Sequence, residues 1–394
     1  MRIEEEFMML YCYRFLIISL ALFVCVSKAQ NIASLNTVSS DTAVNYYQTN
    51  IDNAITDDAS KPKEQNRTKA PILSLAFRNN NLTGEQFIEE RKTYTPVSLN
   101  QDIVTEKNSE DVYQYQMIDG TYWREQSEIN YSRLLPLLGT MLTINLAIYQ
   151  YQRGVWDQNE ITGFHSINWW IDVHNYQRMD KLGHFTDAYF VSDLTSKLYR
   201  WAGVSGESSV WFGALTGWVW MLEMELSDGL FADWGFSWLD LSANTLGAGF
   251  FVLQQYYPEV LGGLHPKFSY HVSDAWRNKT YTKNPKSFID DYEGMTFWLA
   301  INPHHYFPDS WKRDYPKWLA PLGVAIGYGA EGIAPTPQYG RPEWFVGLDL
   351  DLRKIDFGNE SDLFKFFKSE LNFIRLPLPT VRLTPTGIWY GIYF

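Results

Sequence analysis

Residues Glu343–Leu352 read EWFVGLDLDL, and the alternation in that stretch decides the fold class. Side chains alternate across a strand, so Val346, Leu348, Leu350 and Leu352 share one face while Gly347, Asp349 and Asp351 share the other. A strand-like pattern also occurs in LGVAIGYGAEG (Leu322–Gly332), where small and apolar residues are punctuated by glycine. It returns in GIWYGIYF, which puts Ile388, Tyr390, Ile392 and Phe394 on one side. Alternating apolar residues that close on an aromatic resemble the last strand of outer-membrane barrels. About five or six strands are readable, fewer than the roughly eight a transmembrane barrel needs. The expectation is therefore a C-terminal antiparallel β-sheet packed on helices, or a partial barrel.

The helices precede that region. LLPLLGTMLTINLAIYQY (Leu134–Tyr151) carries no charge and lies between Arg133 and Arg153. As a helix it would be about 27 Å long, just enough to cross a hydrocarbon layer. Ser209–Leu222 is a second apolar run, with Trp211, Trp218 and Trp220, and Leu241–Leu253 is a third, rich in Gly and Ala. Gly183–Trp201 is amphipathic, with Ala188, Val191, Thr195 and Leu198 on one stripe. The fold class expected is α+β: a hydrophobic bundle of about four helices over 126–262, then a mainly antiparallel β region over 263–394. A mean hydropathy of −0.27 argues against a polytopic inner-membrane protein.

The chain has 394 residues and a net charge of −12, with no basic stripe, so nucleic acid is not an expected partner. Its 16 Trp, 25 Tyr and 24 Phe suit either a large core or a surface that is apolar at one end and wet at the other. After Arg14 the apolar run FLIISLALFVCV and then Ser27-Lys28-Ala29 read as a signal peptide over 1–29, with Met8 or Met9 as an alternative start. Cys25 follows Leu-Phe-Val, a poor lipobox, so ordinary cleavage after Ala29 is expected. Both cysteines, Cys12 and Cys25, lie in that segment, which excludes thiolate chemistry and disulfides from the mature chain. Residues 30–69 read as a disordered leader, and 70–125 are mixed, with one strand-like stretch at Pro71–Phe77. The compartment implied is the outer membrane or periplasm of a Gram-negative bacterium.

Three polar clusters interrupt the apolar helices. In MDKLGHF and its continuation, Asp180, His184 and Asp187 recur at intervals of four and three, one helical face, with Lys181 beside them. MLEMELSDG supplies Glu223, Glu225 and Asp228; DLSANTLG supplies Asp240, Asn244 and Gly247. Each has a plain structural reading. Asp180 suits a helix cap, Lys181 a solvated position, and Ser237 with Asp240 matches an S-x-x-D capping box. Asn244 suits an interhelical hydrogen bond and Gly247 close helix contact. Their coincidence at helix ends is harder to explain that way, because buried carboxylates are costly unless paired or coordinated. Were the ends to meet, His184, Glu225 and Asp240 are the candidate catalytic acid–base residues. Asp180, Lys181, Asp187, Asp228, Asn244 and Gly247 are then candidate binding residues. His184, Asp180 and Asp228 are the candidate ligands of a divalent metal.

At these residues the chain resembles the YfiM-like family of bacterial envelope proteins of unknown function, and more distantly the VanZ-like family of small four-helix membrane proteins. The likeness rests on D-K-x-x-H-F, E-x-x-D-G and D-x-x-A-N-x-x-G, and covers roughly Trp169–Tyr257. It implies the polar positions Asp180, Lys181, His184, Glu225, Asp228, Asp240, Asn244 and Gly247, and no agreed reaction. The Gln and Arg usual near the VanZ acidic helix are missing from LEMELSDGLFADW.

No G-x-S-x-G, H-E-x-x-H, P-loop or dinucleotide fingerprint is present. The loop pair His304 and His305 in NPHHYFP suits an aromatic turn better than a metal site. The functions left are an envelope protein with a structural, interaction or amphiphile-binding role, or a lipid- or glycan-active enzyme using His184 with Asp and Glu residues. A membrane or lipid partner is expected, and a protein partner in the envelope is compatible.

Overall fold

A computed structural model describes residues 128–155, 161–281, 288–358 and 360–393. The expected signal peptide, the leader, the 70–125 stretch with its strand at Pro71–Phe77, and Phe394 lie outside these residues.

The helical half begins with α1, Tyr131–Val155. Asn130 starts it by accepting the Arg133 backbone N–H (3.2 Å). A short helix, α2 (Trp169–His174), is capped by Asn168, whose side chain accepts from Trp170 N and Ile171 N. Tyr176, Gln177 and Arg178 then take positive φ (47°, 51° and 67°), one left-handed turn that redirects the chain into α3, Met179–Trp201. Next come α4, Gly206–Asp228, and α5, Trp238–Tyr256, the latter capped by Ser237 Oγ accepting from Asp240 N (2.9 Å).

Three of these helices, α3, α4 and α5, interlock around Tyr189, Val210, Ala214, Ala248, Phe251 and Val252. The approach is close enough that a Cβ on Gly247 of α5 would come 2.1 Å from the Phe185 carbonyl oxygen of α3. The fourth helix, α1, lies alongside. Leu134, Leu137 and Met141 bury against Tyr199, Ala202, Val204 and Phe212, and Asn145 Nδ2 donates to Glu223 of α4 (2.9 Å).

The C-terminal half is a six-stranded antiparallel meander in sequence order. Its strands are β1 (Leu264–Tyr270), β2 (Met295–Ile301), β3 (Leu322–Glu331), β4 (Arg341–Leu350), β5 (Leu378–Thr384) and β6 (Ile388–Tyr393). A ten-residue helix, α6 (Asp362–Leu371), sits between β4 and β5. Helices and sheet meet where Met179 and Leu182 of α3 pack on Phe297, Tyr328, Ala330 and Ile333.

The sheet's two faces run opposite to those of an ordinary soluble sheet, which buries its apolar side. The buried side of β4 carries Glu343, Phe345, Gly347 and Asp349, while Trp344, Val346 and Leu348 are exposed. Small residues on β3 make room beneath. A Cβ on Gly327 would come 2.5 Å from the Trp298 ring, which itself packs on Phe345 and lies under the Arg375 guanidinium (3.9 Å). Ions fill much of the rest. Lys267, 1% exposed, pairs with Asp349 (2.8 Å) and donates to Leu350 O and Asn372 Oδ1. Arg375 donates to Leu348 O (2.8 Å) and Thr380 Oγ1 (2.7 Å). Tyr393 of β6 reaches back to Thr296 of β2 (3.0 Å), so the sheet curls around this ionic interior.

Gly247→Ala would force a methyl into the α3 backbone, an overpacking cost of about 1–3 kcal/mol. The expected result is a lower melting temperature for Gly247→Ala and no loss for Gly249→Ala, whose Cβ would meet nothing within 4 Å. Circular-dichroism melts of the two variants check this.

Candidate functional site

The ends of α2, α3, α4 and α5 converge. Lys181, the third residue of α3, is the hub. Its ammonium contacts Asp172 of α2 (2.5 Å), Asp180 (3.0 Å) and Asp240 of α5 (2.9 Å). Asp172 also accepts from Ser237 Oγ (2.8 and 2.9 Å), the same hydroxyl that caps α5. One serine thereby starts a helix and fastens a carboxylate. Lys181 was expected in solvent, but three surrounding carboxylates make its burial favourable.

One turn along α3, His184 faces both other helices. Its Nδ1 lies 3.1 Å from Asn244 Oδ1 and 3.4 Å from Glu225 Oε1, and its Nε2 lies 4.0 Å from Asp240 Oδ1. Glu225, 1% exposed, accepts the Ser237 backbone N–H through Oε2 (3.2 Å). Its other oxygen, Oε1, accepts no hydrogen bond, and Asn244 Nδ2 is likewise left over, whereas Asp240 Oδ1 lies 2.9 Å from the Lys181 ammonium.

Burial dominates the electrostatics. It pushes Glu225 up to about 9, with the charges of Asp240 and Asp228 adding to the rise. It pushes Asp180 up to about 7, against the pull of Lys181. It also lowers His184, an effect that Lys181 reinforces and Asp240 opposes. Burial alone would lower Lys181, yet the charges of Asp180 and Asp240 hold it above its ordinary value. At neutral pH the site therefore contains a protonated Glu225 beside a neutral imidazole.

Of the residues singled out from sequence, Asp180, Lys181, His184, Glu225, Asp240 and Asn244 come together. Gly247 lies at the helix contact rather than in the cluster. Asp187 is exposed and contributes no hydrogen bond or ion pair among the described residues. Glu223 points instead to Asn145 of α1, because residues two apart on a helix face different ways. Asp228 is near enough to influence Glu225 by charge, but its oxygens are not among those that gather around His184. The candidate metal set of His184, Asp180 and Asp228 is therefore not the set that converges; His184, Glu225 and Asp240 is. Asp172 escaped sequence reading. Its only signal was a carboxylate in the apolar stretch WWIDVH, nine residues before Lys181. The pair His304 and His305 lies apart: His305 Nε2 sits 2.9 Å from Pro258 O, and His304 packs on Phe307 and Tyr315.

All these cluster residues fall inside one recognisable segment. Residues 168–256 match the family described as predicted periplasmic lipoprotein, DUF2279. The match runs from the Asn168 cap to the last residue of α5, so it takes in the converging helix ends and leaves out α1 and the sheet. It supports an exported protein of the Gram-negative envelope, in the periplasm or outer membrane. No curated protein and no solved structure matches the chain.

A carboxyl whose folded pKa lies above its unfolded value stabilises the fold fully below the unfolded pKa and loses that contribution as pH rises through the folded one. For Glu225 the window runs from about 4.5 to about 9. Glu225→Gln keeps the Ser237 contact and cannot ionise. Its melting temperature should therefore gain on the wild type steadily as pH rises from 5 to 9. Parallel melting curves across that range would contradict the assignment.

Proposed function

We propose that the chain is an envelope protein seated against a lipid layer, with a helical unit that binds the polar head of an amphiphile at the Lys181–His184 cluster. The observation that carries this is the inverted sheet. Ile326 stands directly opposite Val346 and Val324 opposite Leu348, so these exposed side chains form one continuous apolar surface over an ionic interior. Hydrocarbon outside and polar groups inside is the arrangement of a lipid-facing sheet. A surface this apolar is not left to water without reason.

Two helices add support. In α6, Lys368 binds Glu360, and Ser369 and Glu370 bind Lys197, while Leu363, Phe364, Phe367 and Leu371 are exposed. Its polar side thus meets the protein and its apolar side faces out, as in helices that lie in a membrane interface. Tyr131–Gln152 of α1 is long and apolar enough to cross a membrane by length and composition, and 22% of it is buried.

The purified chain mixed with phosphatidylethanolamine–phosphatidylglycerol vesicles should float with them through a density gradient. The pair Ile326→Lys and Val346→Lys places two charges on the lipid side, each costing about 2–4 kcal/mol at mid-bilayer. That variant should stay at the bottom with its circular-dichroism spectrum unchanged. Wild-type protein recovered in the soluble fraction sinks the lipid reading.

A second reading, a lipid- or glycan-active enzyme, is favoured by one observation. The imidazole of His184 adjoins a protonated carboxyl and a carboxylate, the components of general acid–base catalysis. If a strain lacking the protein shows an envelope defect, failure of His184→Ala to complement it with folding retained would support this reading; loss of stability and nothing else would leave a structural network.

A further inference from the structure

We infer that His184, Glu225 and Asp240 form a binding site for one divalent cation of the zinc or manganese type. The inference stands whether or not the chain meets lipid. It begins from what the cluster leaves over. Asp172 is used by Lys181 and Ser237, and Asp180 by Lys181 and the Lys181 backbone N–H. Glu225 Oε1 and Asn244 Nδ2 make no hydrogen bond, and Asp240 Oδ1 is contacted by the Lys181 ammonium (2.9 Å), which it shares with Asp172 and Asp180. Glu225 Oε1 and Asp240 Oδ1 belong to residues that are at least nine-tenths buried, and both lie near the His184 ring.

Each proposed ligand is held in place by a neighbour: Glu225 and the His184 ring keep one atom free, and Asp240 meets the Lys181 ammonium through both oxygens. Ser237 N–H holds Glu225 by Oε2 (3.2 Å), and Lys181 donates to Asp240 Oδ2 (2.9 Å). Asn244 Oδ1 accepts from the ring at Nδ1 (3.1 Å), which leaves the lone pair of a neutral imidazole on Nε2, the side of Asp240. Neighbours that fix one end of a ligand and aim the other are what orients a metal shell. One ring nitrogen and one oxygen from each carboxylate lie within 4.8 Å of one another, a span that metal–ligand bonds of about 2.0–2.2 Å can close with small side-chain shifts.

Charge points the same way. Four carboxylates against the single ammonium of Lys181 leave a formal charge of −3 when all are ionised, and a divalent cation reduces it to −1. One imidazole with two carboxylates suits zinc or manganese better than magnesium, which prefers oxygen and retained water. Three protein ligands also leave a coordination position open, as in catalytic rather than structural zinc sites. His184 and Lys181 keep 14% of their side-chain surface accessible, so the site is not sealed.

The test uses the full chain, stripped with a chelator and dialysed against zinc chloride, with magnesium chloride as contrast. Elemental analysis should find one zinc per chain and no retained magnesium. His184→Ala and Glu225→Gln should each weaken zinc binding at least tenfold, while the double variant His304→Ala/His305→Ala binds as wild type. Cobalt in place of zinc should give visible absorption that the Glu225→Gln variant loses, which a merely structural role for Glu225 would not produce. If His184→Ala fails to fold, Asp240→Asn, nearly the same shape, replaces it. Substoichiometric zinc, binding untouched by Glu225→Gln, or binding lost with His304 and His305 would each overturn the site.

Discussion

One buried ammonium makes the helical half possible. Lys181 is the counter-ion to carboxylates from α2 and α5 as well as its own neighbour, and no other lysine or arginine pairs with them among the described residues. Removing a partner from such a cluster leaves uncompensated charge in a poorly solvated place, a far larger loss than any surface pair involves. The contacts of Lys181 also fix where the helix ends lie. Asp172 can reach Ser237 only when α2 folds back over the start of α5, and Ser237 can hold Glu225 only when α4 ends beside it. The geometry around His184 follows from that one charge.

The sheet solves a similar problem differently. Lys267, Asp349 and Arg375 are buried beneath it, and there backbone carbonyls do much of the work: Leu350 O for the lysine, Leu348 O and Tyr393 O for the arginine. Burial lowers Arg375 and Lys267 from their ordinary values, while the Arg353 guanidinium and His265 hold Asp351 well below the usual carboxylate range despite its burial. The interior is thus held by fixed charges as much as by the packing of Trp298 and Phe345, and the aliphatic side chains of β3 and β4 are left for the outside.

The sequence made some of this legible for identifiable reasons. The period-two alternation of EWFVGLDLDL survives in β4 because each side chain there is committed to one face. The alternation could not say which face is inward. That depended on Lys267 and Arg375, which are 82 residues before and 26 after Asp349 and offer no local pattern. The cluster was legible as three helix-end motifs, since i, i+3 and i+4 spacing puts residues on one side. Asp187 met the spacing rule and still fell outside, because a helix face is broader than a site. The close pairing of Lys181 was invisible for a similar reason: its partner Asp172 lies across the left-handed turn, where helical periodicity no longer applies.

That turn ties the two halves together. Three successive non-glycine residues in left-handed conformation are each disfavoured by about 1–2 kcal/mol, so something must hold them. Tyr328 of β3 donates its hydroxyl to Gln177 O (2.7 Å), and Tyr176 stacks on Tyr292. Tyr328 stands beside Trp344 on the sheet's apolar flank, and the turn it clasps ends one residue before Met179, next to Asp180 and Lys181. The turn therefore acts as a latch: if the clasp at Gln177 opens, the spring in the backbone is free to unwind, and the anchor point of Lys181 goes with it.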